Sequence, residues 1–236
     1  MSSEVVLNLM IKVSEALVAL IRALQAIVFP HQCRACLSII DVSSVFCSPC
    51  LAQIQPIVSV LLPLTKTKTL KVIALASYNG VIRELVLKKF KGDRLASRQL
   101  AQLLLQMSPL AGQPVDVVVP VPLHWTRYAW RGFNQAVEMG RVIAGAKKAV
   151  LQSCIMRNKK TIFQSRLSAQ ERQENVRGIF SLHPWYRAVG MDSLRGKHVV
   201  IVDDLCTTGA TLTQVARMLT PYQPASLTAV VAARTL

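Results

Sequence analysis

Two adjacent carboxylates, Asp203 and Asp204, close the apolar run Val199–Val202 and precede a loop of small and hydroxyl residues, Thr207, Thr208, Gly209, Ala210 and Thr211. Carboxylates only accept hydrogen bonds, so the pair suits a vicinal diol or a metal ion and repels phosphate. The loop has the opposite character. Where Thr and Gly lead into a helix, backbone N–H groups stay available to an anion, and the helix dipole adds to the attraction. A phosphate cradle and a diol site one short loop apart describe a ribose 5-phosphate. Cys206 stands inside the same loop. Its expected use is packing; a helix N-terminus that lowers its pKa would make it an oxidation-sensitive thiol instead.

A second group of chemistry-bearing residues runs from His124 to Gln135 and includes Arg127, Arg131, Gly132 and Asn134. Arg127 and Arg131 are spaced i, i+4 and share a face if helical. Two guanidiniums suit a pyrophosphate, which arginine binds in bidentate fashion. Trp125, Tyr128, Trp130 and Phe133 interleave them. Core packing is their expected role, with base stacking as the alternative.

The third group is Cys33-Arg-Ala-Cys36 and, ten residues later, Cys47-Ser-Pro-Cys50. Two such knuckles supply four thiolates in tetrahedral array, which suits a closed, structural Zn²⁺ site. The metal then stabilises a segment too short to have its own core.

The elements that must position these groups follow from periodicity. Val199–Val202 reads as a strand buried on both faces, and Leu212, Val215, Ala216 and Leu219 recur at helical spacing after the loop. Residues 71–78, 116–121, 149–156 and 226–233 read as further strands. Helices are expected over about 81–90, 94–107 and 134–147. Prolines at the end of the 116–121 strand fit the edge of a ligand site, because open α/β sheets bind at their strands' carboxyl ends. Residues 51–70 read as a linker, 182–195 as a surface loop, and the polar stretch 157–176 as a functional loop containing a short helix. The expected architecture is α/β, a mostly parallel central sheet flanked by helices, with a small N-terminal zinc-binding module. Its parts are an amphipathic helix over 1–28, a four-cysteine module over 29–64 and the α/β domain over 65–236.

Residues 5–29 are strongly apolar, but Asn8, Lys12, Glu15 and Arg22 fall on one narrow face. This reads as an amphipathic helix that packs on the body or a partner, with membrane-interface contact as the alternative. A spanning helix is not expected, since centrally placed charges are costly there. At 236 residues with 52% hydrophobic content and no low-complexity segment, a disordered chain is excluded. Twenty-eight Lys and Arg against 12 Asp and Glu give a net charge of +16, which suits a polyanionic partner. No signal peptide is evident, so a cytoplasmic, reducing setting is expected, where paired cysteines favour metal over disulfide.

The stretch Gly196–Leu219 resembles the phosphoribosyl pyrophosphate (PRPP) motif of type I phosphoribosyltransferases. Together with the two knuckles, V-P-V-P-L, R-G-F-N-Q, R-x-x-x-T-x-x-Q at 157–164 and E-R-x-x-N-V at 171–176, it resembles the ComF family over about residues 29–236. These are phosphoribosyltransferase-like proteins associated with natural competence and the use of external DNA. The apolar helix before the knuckles is not explained by the family pattern. The resemblance implies a type I phosphoribosyltransferase-like fold. It implies that Asp203 and Asp204 bind the ribose diol, directly or through Mg²⁺, and that Thr207, Thr208, Gly209 and Thr211 form the 5-phosphate loop, with Cys206 and Ala210 within it. Arg157, Thr161, Gln164, Arg172 and Asn175 would belong to a loop that closes over the site. Arg127 and Arg131 are the candidates for the pyrophosphate end. The implied reaction is pentosyl transfer to an acceptor with loss of pyrophosphate, Mg²⁺ and arginines stabilising the leaving group. The alternative is a non-catalytic, PRPP-sensing adaptor that binds single-stranded DNA and a competence helicase. A homo-oligomer is compatible with either.

Overall fold

The apolar run that carries the acidic pair lies at the centre of a six-stranded sheet. The computed structural model describes residues 10, 13–18, 20–21, 30–41, 44–55, 59–65, 68–90, 93–158 and 178–235. The chain divides into two compact units, Met1–Ala52 and Gln53–Leu236.

In the larger unit the sheet comprises β1 (Val60–Pro63), β2 (Thr69–Ser77), β3 (Val117–Pro120), β4 (Val150–Leu151), β7 (His198–Cys206) and β8 (Ser226–Arg234). Their order is β1-β2-β8-β7-β3-β4. All neighbours are parallel except β1 and β2. Val199, Val200, Ile201 and Val202 on β7 are buried, as are Ala229 to Ala233 on β8. A strand covered on both faces needs no polar alternation, which is why these segments read as continuous apolar runs.

The helices are α1 (Gly80–Phe90), α2 (Arg94–Met107), α3 (Trp125–Arg131), α4 (Gln135–Lys147), α5 (Pro184–Val189) and α6 (Ala210–Leu219). One sheet face, through Val72, Val119, Ile201 and Val231, packs against Leu212, Val215 and Leu219 of α6. The same core takes in a two-stranded antiparallel sheet of β5 (Ile155–Arg157) and β6 (Phe180–Leu182). The helices α1, α2 and α4 pack against the sheet strands and one another. Full burial of Leu85, Leu100 and Leu104 stabilises the unit by ~1.5–3 kcal/mol each. Gly140 on α4 allows this helix to lie close to the sheet, since a methyl group there would stand 2.8 Å from Leu151 Cδ1 and 3.3 Å from Val118 Cγ1.

Asp93 starts α2, its carboxylate accepting from Ala96 N at 3.0 Å. Between α2 and α4 the carboxylate of Glu138, 2% exposed, is bound by Arg98 Nε at 2.9 Å and Arg141 Nη1 at 2.5 Å. Half-exposed guanidiniums on both sides compensate the buried charge.

Four expectations are corrected. The 51–70 segment is not all linker, because β1 lies within it and pairs with β2 from Val60↔Val72 to Pro63↔Thr69. Pro63 fits there because an edge strand has one unpaired side. The 149–156 segment is not one strand: β4 extends the main sheet and β5 turns into the small one. Residues 182–195 contain α5 and a 3₁₀ turn, and Met191 and Leu194 are buried in the core. The acidic pair lies within β7, which runs on to Cys206.

In the smaller unit, residues 10, 13–18 and 20–21 are helical where described, and Met10, Val13, Leu17, Leu20 and Ile21 are exposed. Of the four polar interruptions only Glu15 is among the described residues. No helix among the described residues is long and apolar enough to cross a membrane.

Candidate functional site

The sheet register brings the predicted residues to one carboxyl edge. Pro120 of β3 stands opposite Val202, and Asp203 and Asp204 follow on β7. Cys206 is opposite Arg234 at the end of β8. Both aspartates are half-buried, and Asp203 Oδ1 accepts from Asp204 N at 2.8 Å.

After β7 the chain turns through Thr207 and Thr208, both exposed, into α6. Gly209 is the N-cap with φ +75°, a left-handed conformation that favours glycine. It is held against Leu62 of β1, and Leu64 O accepts from Arg217 Nε of α6 at 2.9 Å. The N-cap residue offers no side-chain cap, and no acidic residue lies in the first turn. Ala210 and Thr211 occupy that turn, half-buried. Ala210 N is 3.5 Å from Thr208 Oγ1, at the limit of a hydrogen bond. The start of α6 thus presents donors and hydroxyls with no carboxylate of its own among them, as an anion cradle requires.

The arginines come from the segment after β3. His124 caps α3, its Nδ1 accepting from Thr126 N at 3.3 Å. Gly132, at φ +73°, ends the helix, its N–H donating to Tyr128 O at 2.7 Å and its carbonyl accepting from Arg94 Nη2 at 2.9 Å. Phe133 is buried under the Arg94 guanidinium. Asn134 donates from Nδ2 to Val121 O at 2.9 Å and caps α4 through Ala136 N at 3.0 Å. R-G-F-N-Q is therefore a stop, an anchor and a staple that fix the pose of Arg131.

Burial holds Arg131 below the ordinary guanidinium pKa; Asp204 raises it and Arg127 lowers it further. Arg157, on β5 beside the Phe180 ring, is likewise lowered by burial, with Arg127 lowering and Asp203 raising it. Arg127, Arg131, Arg157, Asp203 and Asp204 thus act on one another as a single charge cluster. The other four residues of the expected closing loop, Thr161, Gln164, Arg172 and Asn175, lie outside the described residues.

Three of the interleaved aromatics are not core residues. Trp125 is 70%, Tyr128 54% and Trp130 75% exposed, and only Phe133 is buried. Cys206 is 3% exposed, and burial raises its thiol pKa although Arg234 pulls it down. The thiol is a packing group. Two neighbours of the site were not singled out from sequence. Arg234 was legible as the first charge after the apolar run of β8. Leu62 was hidden in the segment read as linker.

In the smaller unit the Sγ atoms of Cys33, Cys36, Cys47 and Cys50 all lie within 4.8 Å of one another. A tetrahedral zinc–thiolate site requires Sγ separations of about 3.8 Å, so the set fits the ion. Burial opposes ionisation of Cys33, but backbone N–H groups of Cys36, Cys47 and Ala35 outweigh it and bring the thiol down to about 6. Cys50 is pushed up to about 12 by its hydrogen bond to Cys47 and by burial. A dication relieves this crowding of sulfurs.

Residues 131–235 match the family described as Phosphoribosyl transferase domain. The mostly parallel sheet with its flanking helices is the fold of that class. The chain is similar to Competence protein F of Haemophilus influenzae, 33% identical over 105 residues, 44% of each chain. It is also similar to DNA utilization protein YhgH of Salmonella typhi, 36% identical over 138 residues, 56% of this chain and 57% of the relative. The chain thus spans about half the length of the curated relatives it matches. Among solved structures it is similar to an allosteric regulatory enzyme of purine biosynthesis, 22% identical over 58% of this chain and 25% of that one, with a TM-score of 0.38. Residues 131–235 thus match a phosphoribosyltransferase domain, and the curated relatives that the chain resembles carry names of competence and DNA utilisation.

Proposed function

We propose that the chain is a PRPP-binding protein of competence or DNA utilisation, and that it transfers the phosphoribosyl group with loss of pyrophosphate. The observation that carries this is the cluster at the carboxyl edge. The α6 start and Thr207, Thr208 and Thr211 receive the 5-phosphate, Asp203 and Asp204 the ribose diol, and Arg127 and Arg131 the pyrophosphate. Arg157 closes the anionic side. The half-buried carboxylate pair offers the hard oxygen donors that Mg²⁺ takes. When bound, that ion neutralises charge on the pyrophosphate. The arginines orient the leaving group and stabilise charge that builds on it as the C1–O bond breaks. The reading belongs in the cytoplasm, with Zn²⁺ as the structural ion held by the four cysteines.

Calorimetric titration of PRPP, with a pyrophosphate-release assay over a panel of acceptors, tests this. Wild-type protein should bind PRPP, and Asp203→Asn/Asp204→Asn should weaken binding at least tenfold and abolish release. Absence of PRPP binding by the wild type would refute the proposal.

A second reading, a non-catalytic PRPP-sensing adaptor that binds single-stranded DNA and a helicase partner, is favoured by the net charge of +16, which phosphate ligands alone do not require. PRPP binding without pyrophosphate release over the whole acceptor panel selects it.

A further inference from the structure

The helix that carries Arg127 and Arg131 toward the acidic pair also displays three large aromatic side chains to solvent. Trp125, Tyr128 and Trp130 are 70%, 54% and 75% exposed. In a seven-residue helix this is a costly arrangement, since rings of this size ordinarily dominate core packing. At about 100° per residue, Arg127 and Arg131 project about 40° apart. Tyr128 then lies about 60° beyond Arg131 on one side, and Trp130 about 60° beyond Arg127 on the other. The guanidiniums are thus flanked by π-faces, and the Arg131 guanidinium is 5.9 Å from the Trp130 ring centroid. Ala129, also exposed, leaves the surface between the rings low. The His124 cap, the Gly132 stop and the Asn134 staple hold α3 at both ends, so the rings are presented on a fixed support.

Alternating arginines and flat apolar surfaces fit one class of ligand well, a single-stranded nucleic acid, whose bases stack on rings while its phosphates meet guanidiniums. An excess of 16 positive charges supplies the long-range attraction. We propose that α3 is a stacking ledge for single-stranded nucleic acid and that the strand's phosphates engage Arg127 and Arg131. Because the same arginines serve the pyrophosphate end, strand and PRPP exclude each other. The competition rests on the PRPP reading above; the ledge does not. The consequence is a switch built on one helix, in which occupancy by PRPP releases the strand and a bound strand lowers the apparent affinity for PRPP.

The test uses the full zinc-loaded chain and a fluorescein-labelled oligothymidylate, followed by anisotropy. The variant is Trp125→Ala/Tyr128→Ala/Trp130→Ala, whose side chains are exposed, so its melting temperature should match the wild type. The wild type should bind the oligonucleotide at low salt with affinity that falls steeply as salt rises. The triple variant should bind it at least tenfold more weakly, while its PRPP affinity, read by calorimetry, should fall by no more than the roughly two- to fivefold that loss of the Trp130 contact to Arg131 accounts for. Adding PRPP with Mg²⁺ should weaken strand binding in proportion to PRPP occupancy. Asp203→Asn/Asp204→Asn should retain strand binding and lose the PRPP effect.

Equal strand affinity in wild type and triple variant would overturn the ledge. So would self-association that the triple variant abolishes without any strand binding, since the rings would then face a second copy. Polyglutamate binding that equals oligothymidylate binding and ignores the rings would also overturn it. Strand affinity unchanged at saturating, calorimetrically bound PRPP would overturn the competition alone. Absence of any PRPP heat would instead refute the PRPP reading, and the competition with it, while ring dependence in the anisotropy series decides the ledge independently.

Discussion

A methyl group at position 209 would press directly on Leu62 Cδ1 and stand 3.3 Å from its Cγ and Cδ2. Gly209→Ala is therefore opposed twice. At φ +75° an L-residue is disfavoured by roughly 1–2 kcal/mol. Overpacking against Leu62 adds ~1–3 kcal/mol, less if the half-buried leucine swings aside and gives up its own contacts. Destabilisation of roughly 2–5 kcal/mol is expected. Urea unfolding should show it as a lower midpoint at unchanged slope. Under the proposed PRPP reading, PRPP affinity should fall with it, because Gly209 shapes the turn from β7 into α6. Leu62→Ala/Gly209→Ala removes the clash and leaves the backbone term. The double variant should therefore be more stable than the sum of the single changes implies, by on the order of 1–2 kcal/mol. Additive behaviour would refute the packing argument. An unchanged urea midpoint and PRPP affinity for Gly209→Ala would refute the account of the loop altogether.

Further outcomes follow from other sites. Zinc analysis should give one ion per chain, and Cys36→Ser/Cys47→Ser should lose it together with protease resistance in residues 30–52. Arg127→Gln and Arg131→Gln should each weaken PRPP binding in calorimetry by ~1.5–3 kcal/mol, the range for a hydrogen bond to a charged group, with the larger effect at low salt. Burial pushes the Cys154 thiol up to about 12, above its unfolded value, so its contribution to stability is complete below about 9 and is lost as pH rises toward 12. The unfolding free energy from urea titrations should decline across that window by up to ~1.4 kcal/mol per pH unit, and Cys154→Ala should flatten the decline. Removing the buried charge in Glu138→Leu while Arg98 and Arg141 stay half-exposed should destabilise by ~1–2 kcal/mol in the same assay, below the value for a fully buried pair.

The parts of the fold that were legible in sequence are those whose residues face one environment. Val199–Val202 and Arg94–Met107 declare themselves because a doubly covered strand is uniformly apolar and an amphipathic helix is periodic. The turn from β7 into α6 stood out for a chemical reason, since few uses require paired carboxylates, hydroxyls and glycine in that order. What remained hidden depends on long-range pairing. β1 is four residues that end in a proline, a strand only because β2 is there to receive it. Leu62 takes its role from Gly209, nearly 150 positions away in the chain. The α3 aromatics misled for a related reason: aromatic content predicts burial on average, and exposure at Trp125, Tyr128 and Trp130 is set by where the helix ends up. Phe133, five residues beyond Tyr128, obeyed the average.

Among the described residues β1 is hydrogen-bonded on one side only, and edge elements of this kind open at lower free energy than the strands they cover. Opening it withdraws Leu62 from Gly209 and takes the Leu64 carbonyl from Arg217, while the pairing of β7 with β3 and β8 stays intact. The paired carboxylates of β7 and the turn at Thr207–Thr211 therefore have separate lifetimes: the first persist as long as the sheet does, the second only as long as its weakest strand. In amide exchange, Thr207–Thr211 should follow the protection of Val60–Pro63 rather than that of the β7 residues immediately before them. Under the proposed reading, a bound 5-phosphate would slow exchange in both segments together, although only one of them would touch it.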